Sequence, residues 1–371
     1  MLALACLLLP FIRLRPNRVL TGQAWPLPSM GAQGLGLAIG MLVLAGLYVA
    51  LPARRALARA LVALLAGGLT VAALSWAALW GTTGQEGARI SLGAGFLLMA
   101  VGILMMLADD SLPRPARRLW LLPAALLLVL LLAGRLDGLS LLQEYHGRRD
   151  AFWQQAGQHL ALAASATVAA FVVGLPMAFL MLRHRVFERP VFLLLNLGQT
   201  IPTLSLLGLL MVPLAWLGRQ SALLKSWGVS GVGFWPAWIA LFSYCLFPIM
   251  HSALAGLKMV DPVVMEAARG MGMTTGQTFL RVRLPLAAPL IFTGLRTAMT
   301  QAMGNATLAA LIGGGGLGGF IFLGLAQSAS DLILLGTIPL IALTFAADTI
   351  LGQLIRLLGR EQADDPHPVT P

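Results

Sequence analysis

The stretch EAARGMGMTTGQTFLRVRLP, residues 266–285, separates two long apolar runs, 234–256 and 286–311. It is too polar to cross a bilayer. Glu266, Ala267 and Ala268 favour a helix, and Gly270, Gly272 and Gly276 weaken or interrupt it. Leu284 and Pro285 then open the next run, with proline at a helix entrance, where its missing N–H is tolerated. The sequence therefore predicts a short helix, a glycine turn, a second short helix and the start of a long one. On the residues alone, two readings stand side by side: a solvated connecting loop with a basic face, or an element that docks into a groove on a partner.

Working outward, further apolar runs occupy 31–51, 60–80, 90–108, 119–134, 158–182, 191–217 and 332–355. Each is nearly free of charge, as a helix in hydrocarbon must be, and a span needs about 20 residues. The composition agrees. The chain has 371 residues, 58% apolar and 11% charged, against about 25% charged in an average soluble domain. A disordered chain, a coiled coil and an ordinary soluble enzyme are excluded. The expected fold is all-α, a polytopic membrane protein of nine or ten transmembrane helices. The run 1–12 (MLALACLLLPFI) lacks a small-residue cleavage site after it and is expected to be a tenth, short span rather than a signal sequence.

The net charge of +11 would suggest nucleic acid in a soluble protein. Here the basic residues lie singly or in small groups between apolar runs, so a bilayer is the expected partner and nucleic acid is not. If 257–285 faces the cytoplasm, the segments 52–59, 109–118, 183–190 and 356–371 do too. Together these hold 15 of the 25 basic residues, against nine outside. Arg13, Arg15 and Arg18 fall on the outer side, against the rule. The two cysteines, Cys6 and Cys245, sit in apolar runs and build neither a disulfide framework nor a zinc site. His159, His184 and His251 have no metal-ligand spacing, so no metal, cofactor or catalytic set is expected.

The polar stretch 135–157 divides the chain near residue 150. Residues 1–150 form a membrane extension of four or five helices, 151–357 a second membrane unit, and 358–371 a polar cytoplasmic tail. In the second unit Asn196, Gln199, Thr200, Thr203 and Ser205 cluster around Pro202, and Gln301, Asn305 and Thr307 lie in another run. Polar groups in hydrocarbon usually face protein or water. Asn196, Gln199, Thr200, Thr203, Gln301 and Asn305 are expected to line a translocation path, with interhelical hydrogen bonding the equal alternative for each. Arg296 and Asp348 are the ionisable groups deepest in their runs. Either they pair, or each faces the path, or Arg296 snorkels to the cytoplasmic end. The run GGGGLGG (313–319) lacks the strand, the acidic partner and the Lys-Ser of a nucleotide site; a tight turn between spans is expected. No tyrosine–tryptophan cage is visible, and Trp227, Trp235 and Trp238 read first as interface anchors.

The stretch 266–285 resembles the coupling-loop signature of the inner-membrane subunits of ABC importers: Glu-Ala-Ala, three residues, Gly, nine residues, an aliphatic, one residue, Leu-Pro. Glu266, Ala267, Ala268, Gly272, Val282, Leu284 and Pro285 occupy those positions, with Val282 where Ile is usual. The runs QTIPTLSLLGLLMVPLAWLG (199–218) and LAALIGGGGLGGFIFLGLAQ (308–327) are similar to spans of the Opu-like osmoprotectant branch. NRVLTG (17–22) and LSLLQEYHGRRDAF (139–152) resemble the extended permease of the Yeh-type glycine betaine importer.

The resemblance implies a type-1 ABC importer permease core over 151–357, in a multi-pass protein of the bacterial inner membrane. It implies that the loop contacts a separate ATPase subunit, that this chain hydrolyses nothing, and that an extracytoplasmic solute-binding protein and a second permease chain complete the assembly. The implied cargo is a quaternary amine such as glycine betaine or choline. The alternatives are an ion-coupled secondary transporter, for which Asp348 is the one serious carboxylate, and a membrane-bound enzyme, for which no cluster of His, Asp or Ser is evident.

Overall fold

The structure is a computed structural model that describes residues 8–15, 22–82, 89–107 and 121–363. Among the described residues seven helices are long and apolar enough to cross a membrane: Gly31–Ala50, Ala56–Trp80, Arg149–Arg183, Thr203–Gln220, Phe234–Met259, Thr275–Ile312 and Ser330–Gly359. Two shorter apolar helices, Ala94–Met106 and Leu121–Leu132, account for the runs expected at 90–108 and 119–134. Many aliphatic side chains on these helices stay exposed, among them Val172, Leu209, Val212, Ile341 and Phe345. Long helices with apolar outer faces and internally satisfied backbones are what hydrocarbon selects.

The chain forms two compact units, residues 1–149 with 323–335, and residues 150–322 with 336–371. In the first, strands β1 (Pro10–Arg15), β2 (Gln23–Pro26) and β3 (Arg89–Leu92) make an antiparallel sheet in the order β2-β1-β3. Ile12 pairs with Trp25 on one side and Leu92 on the other. Helices α1 (Gly31–Ala50), α2 (Ala56–Thr82), α3 (Ala94–Leu107), α4 (Leu121–Leu132) and α5 (Ser140–Gly147) complete it. Phe11, Ile12, Leu27, Met30, Ala77, Ile90 and Leu136 form one buried core.

This sheet corrects the expectation of a first span over 1–12. Residues 10–12 are strand, and residues 1–7, with Cys6, lie outside the described residues. The front of the run 90–108 is also strand, so its helix begins only at Ala94. The sheet gives the arginines at 13 and 15 a physical setting. Arg15 is buried and donates from Nη2 to Ser330 Oγ at 3.3 Å; Arg18 lies outside the described residues. Ser91 Oγ donates to Asp331 Oδ2 at 2.7 Å, and Arg89 pairs with the buried Glu144 at 2.5 Å. Residues 13–15, 22–30, 89, 135–149 and 330–331, which the alternation of spans places outside, thus belong to one substructure, together with 90–92, which were expected to open a span. The expected cytoplasmic segment 109–118 and the polar tail from 364 lie outside the described residues.

The second unit holds α6 (Arg149–Arg183), α7 (Glu188–Thr200), α8 (Thr203–Gln220), α9 (Ala222–Ser226), α10 (Phe234–Met259), α11 (Pro262–Gly270) and α12 (Thr275–Thr278). A π-helical segment, Phe279–Arg283, leads into α13 (Leu284–Asn305); α14 (Gly318–Ala326) and α15 (Ser330–Ala363) follow, with residues 323–335 belonging to the first unit. The run 191–217 is not one span. It breaks at Ile201 and Pro202, because proline lacks a donor and holds the preceding residue extended (Ile201 φ −72°, ψ 124°). The Tyr244 hydroxyl donates to the carbonyl of Ile201, which the break would otherwise leave unpaired.

Helices α10 and α13 pack closely through small residues, as helices in lipid do. Ala240, Ala253, Ala298 and Ala302 are buried in the cores along this seam. A Cβ on Gly294 would lie 2.8 Å from Pro248 O, and one on Gly256 3.0 Å from Ala287 O.

Candidate functional site

The 260–285 element follows its sequence closely. Asp261 caps α11, its carboxylate accepting from Val263 N at 2.8 Å, and Pro262 takes the first helical turn. The helix ends at Gly270, and Gly272 turns the chain at φ +82°, a left-handed conformation that favours glycine. Thr274 and Gln277 then form a reciprocal capping box on α12. The helical path resumes without a break through the π segment into α13, with Pro285 in its first turn. Arg283 Nε donates to Leu257 O at 2.9 Å, and the Phe279 ring sits 4.3 Å from that of Phe179. Both contacts fasten the element to the ends of α10 and α6.

The two faces of α11 differ. Pro262, Met265, Glu266 and Arg269, at i, i+3, i+4 and i+7, line a cavity of about 510 Å³ together with Arg185, Lys258 and Arg283. With Lys258 paired to Glu188, three arginines against the one carboxylate of Glu266 leave this cavity positively charged. Ala268 is buried. On the outward side Val263 is 69% and Met271 71% exposed, with Ala267 open between them. Further on, Val282 and Leu284 are half-buried and Leu280 stays exposed.

Of the polar residues singled out in the spans, the structure joins two. Gln199 Nε2 donates to Tyr244 O at 2.8 Å, and Gln301 Nε2 donates to Gln199 Oε1 at 3.2 Å. This bridge ties α7, just before its break, to α10 and α13. Thr200 turns back to Leu197 O on its own helix. Thr203 starts α8 beyond the break, and Asn305 ends α13 one turn past Gln301.

Asn196 opens instead into a second cavity, of about 400 Å³, lined also by Glu188, Phe192, Phe247, His251 and Lys258. Reading the sequence for tyrosine and tryptophan missed this group. Its rings come from two helices about fifty residues apart, and no local pattern joins them.

Arg296 and Asp348 form a fork: Nε to Oδ1 and Nη2 to Oδ2, each 2.6 Å. Of the three readings open from the sequence, pairing is the one observed. Gly352, one turn after Asp348, lies against the guanidinium; a Cβ there would meet its Cζ at 3.4 Å, about ordinary contact.

The 313–319 run is a tight turn, with Gly313, Gly315 and Gly316 at positive φ. Gly233 N donates to Ile312 O at 2.7 Å beside it. Gln155, Gln158 and His159 of α6 press against the turn so closely that a Cβ on Gly315, Gly316 or Gly319 would overlap them. Among the described residues no group of three His, Cys, Asp or Glu is placed to hold a metal ion.

Residues 170–361 match the family model of the binding-protein-dependent transport system inner membrane component. Residues 1–142 match that of the N-terminal domain of the ABC transporter permease YehY. The glycine betaine/carnitine/choline transport system permease protein OpuCB of Bacillus subtilis is 34% identical over 198 residues, covering 53% of this chain and 84% of that protein. The osmoprotectant import permease protein OsmW of Salmonella typhimurium is 34% identical over 197 residues, covering 53% and 86%. Among solved structures, an inward-facing form of the MetNI methionine ABC transporter overlays with a TM-score of 0.49 at 20% identity, covering 57% of this chain and 98% of that one.

Proposed function

Since the chain belongs to the binding-protein-dependent transport system inner membrane components, we propose that it is the permease subunit of an ABC importer for quaternary-amine osmoprotectants such as glycine betaine or choline. Of the relatives at 34% identity, OpuCB is a glycine betaine/carnitine/choline transport system permease and OsmW an osmoprotectant import permease. ATP hydrolysis resides in a partner chain. A solute-binding protein delivers cargo to the outer face, and a second permease chain, identical or related, completes the pathway.

The observation that carries this reading is α11. It is a capped helix outside the spans that buries Ala268 inward and offers Val263, Ala267 and Met271 outward. Exposed aliphatics on an element away from hydrocarbon are explained by a protein that covers them. Glu266, Ala267, Ala268, Gly272, Val282, Leu284 and Pro285 form the coupling loop in this account. Closure of the ATPases on nucleotide pushes α11, and its fastening at Arg283 and Phe279 passes the movement to α10, α13 and α6. The spans then exchange inward-open and outward-open arrangements, an equilibrium biased by both partners.

Asn196, Gln199, Thr200, Thr203, Gln301 and Asn305 line the path, with the Gln199–Gln301 bridge at the helix break as its polar centre. Residues 1–150 form a separate membrane extension, 151–357 the permease core and 358–371 the tail. The ion-coupled alternative needs an intramembrane carboxylate free to bind the coupling ion, and Asp348 is committed to Arg296 by two bonds.

Uptake of labelled glycine betaine, choline and proline betaine in cells with and without the gene tests the reading. Uptake of at least one should require the gene. Glu266→Lys should abolish that uptake while the protein stays in the membrane at its normal level. Gene-independent uptake of all three, or full ATP-driven uptake by Glu266→Lys, would contradict it.

A further inference from the structure

The cavity of about 400 Å³ between α7 and α10 has the chemistry of a small zwitterion. Phe192 stands nearly perpendicular to Phe247 (centroids 6.3 Å apart, 87°) and to His251 (5.9 Å, 76°), while Phe247 and His251 stack at 5.8 Å and 29°. The three rings thus make a right-angled corner. A trimethylammonium group, with its charge spread over methyls, favours such aromatic faces.

Beside the corner, Lys258 Nζ bonds both oxygens of Glu188, at 2.6 and 2.7 Å. This pair is only partly buried, with the lysine side chain 40% and the glutamate 29% exposed, so a solute can reach it. Asn196 adds an amide to the same wall, one helical turn before the Gln199–Gln301 bridge. The cavity lies where α7 and α10 meet the segments 183–190 and 257–285, which the distribution of basic residues places on the cytoplasmic side.

We propose that this cavity is a low-affinity exit subsite for carboxylated quaternary amines. The trimethylammonium rests in the Phe192–Phe247–His251 corner beside Glu188, and the carboxylate takes Lys258. The solute then lies antiparallel to the Glu188–Lys258 pair, replacing each member's partner as it loosens the other, so no charge is left bare. Because Glu188 and Lys258 cancel, the site favours a net-neutral betaine over choline, which brings a positive charge and nothing for the lysine. The inference rests on the proposed transport function and adds to it a place and a preference.

The test uses the permease assembled with its ATPase in nanodiscs, without binding protein, titrated with methyl-¹³C glycine betaine or methyl-¹³C choline and followed by methyl line broadening. Glycine betaine should bind at least fivefold more tightly than choline. Phe192→Leu/Phe247→Leu should weaken both by about tenfold, as expected for losing two aromatic faces. Lys258→Gln should erase or reverse the preference, weakening glycine betaine and tightening choline because Glu188 loses its partner, and Lys258→Arg should restore it.

ATP-driven uptake by the complete wild-type transporter is measured in parallel. If it carries neither solute, the transport reading itself fails. If it carries glycine betaine but the methyl lines do not broaden, or broaden equally in wild type and both sets of variants, or choline binds the wild type more tightly, the subsite is overturned while the transport reading stands.

Discussion

Removing Arg296 should cost the protein much of its stability in the membrane, and removing Asp348 as well should return most of it. Arg296 is twelve residues into α13. With hydrocarbon beginning where the apolar run does, at Leu286, Arg296 lies about 15 Å in at about 1.5 Å per residue, near the middle of a hydrocarbon core about 30 Å thick. From there the side chain reaches neither interface in full extension, and it bonds Asp348 through two contacts of 2.6 Å instead. Arg296→Ala leaves the Asp348 carboxylate in that depth without its cation. A charged residue at a helix centre costs about 2.5–3.5 kcal/mol on insertion scales, on the order of a hundredfold in an equilibrium. The double variant Arg296→Ala/Asp348→Ala removes both charges and the penalty with them. The assay is membrane abundance together with the melting temperature of the detergent-extracted protein, followed by size-exclusion fluorescence. The single variant should fall clearly below wild type in both, and the double variant should regain more than half the loss. A single variant as abundant and as heat-resistant as wild type, or a double variant worse than the single, would refute the reasoning.

Two further outcomes follow from close approaches and backbone shape. Gly294→Val places a Cβ 2.6 Å from Ser252 Cβ and 2.8 Å from the Pro248 carbonyl, both fixed close to the facing backbone; it should destabilise by about 1–3 kcal/mol and lower the melting temperature, whereas Thr293→Val, one residue away, should change it much less. At Gly272 nothing crowds a new Cβ, so only the left-handed backbone matters. Gly272→Val should reduce uptake at normal membrane abundance by distorting the α11–α12 turn, at a backbone cost of about 1–2 kcal/mol, and Gly272→Asn should retain most of it.

What the sequence revealed followed from how each element satisfies its physics locally. Spans are legible because hydrocarbon admits almost no charge for twenty residues, and each of the nine runs found in this way contains a helix. The 266–285 element is legible because its caps, glycine turn and helix-opening proline act within a few residues of one another. The N-terminal sheet was not legible: β1 sits at the end of a leucine-rich run that mimics a span, and its partner β3 comes some eighty residues later, at the front of another apolar run. The break at 201–202 was signalled by Pro202, but the Tyr244 hydroxyl that makes it tolerable comes from a different helix. Arg296 and Asp348 were recognisable as costly residues, while their union depended on α15 coming within reach of the Arg296 side chain. The Phe192–Phe247–His251 corner left no trace at all, since phenylalanines in a membrane helix look like lipid-facing residues until a cavity places them together.

The claim that the 262–285 element takes force from a separate ATPase is tested most directly by a cysteine at Val263, on the outward face of α11. The background carries Cys6→Ser; Cys245 is fully buried. A short bismaleimide applied to membranes holding the permease and its ATPase should give a permease–ATPase adduct whose yield changes with nucleotide, and a membrane-impermeant maleimide added to intact cells should leave the residue unlabelled. Labelling from outside the cell, or no adduct in a complex that hydrolyses ATP and transports, would contradict the account.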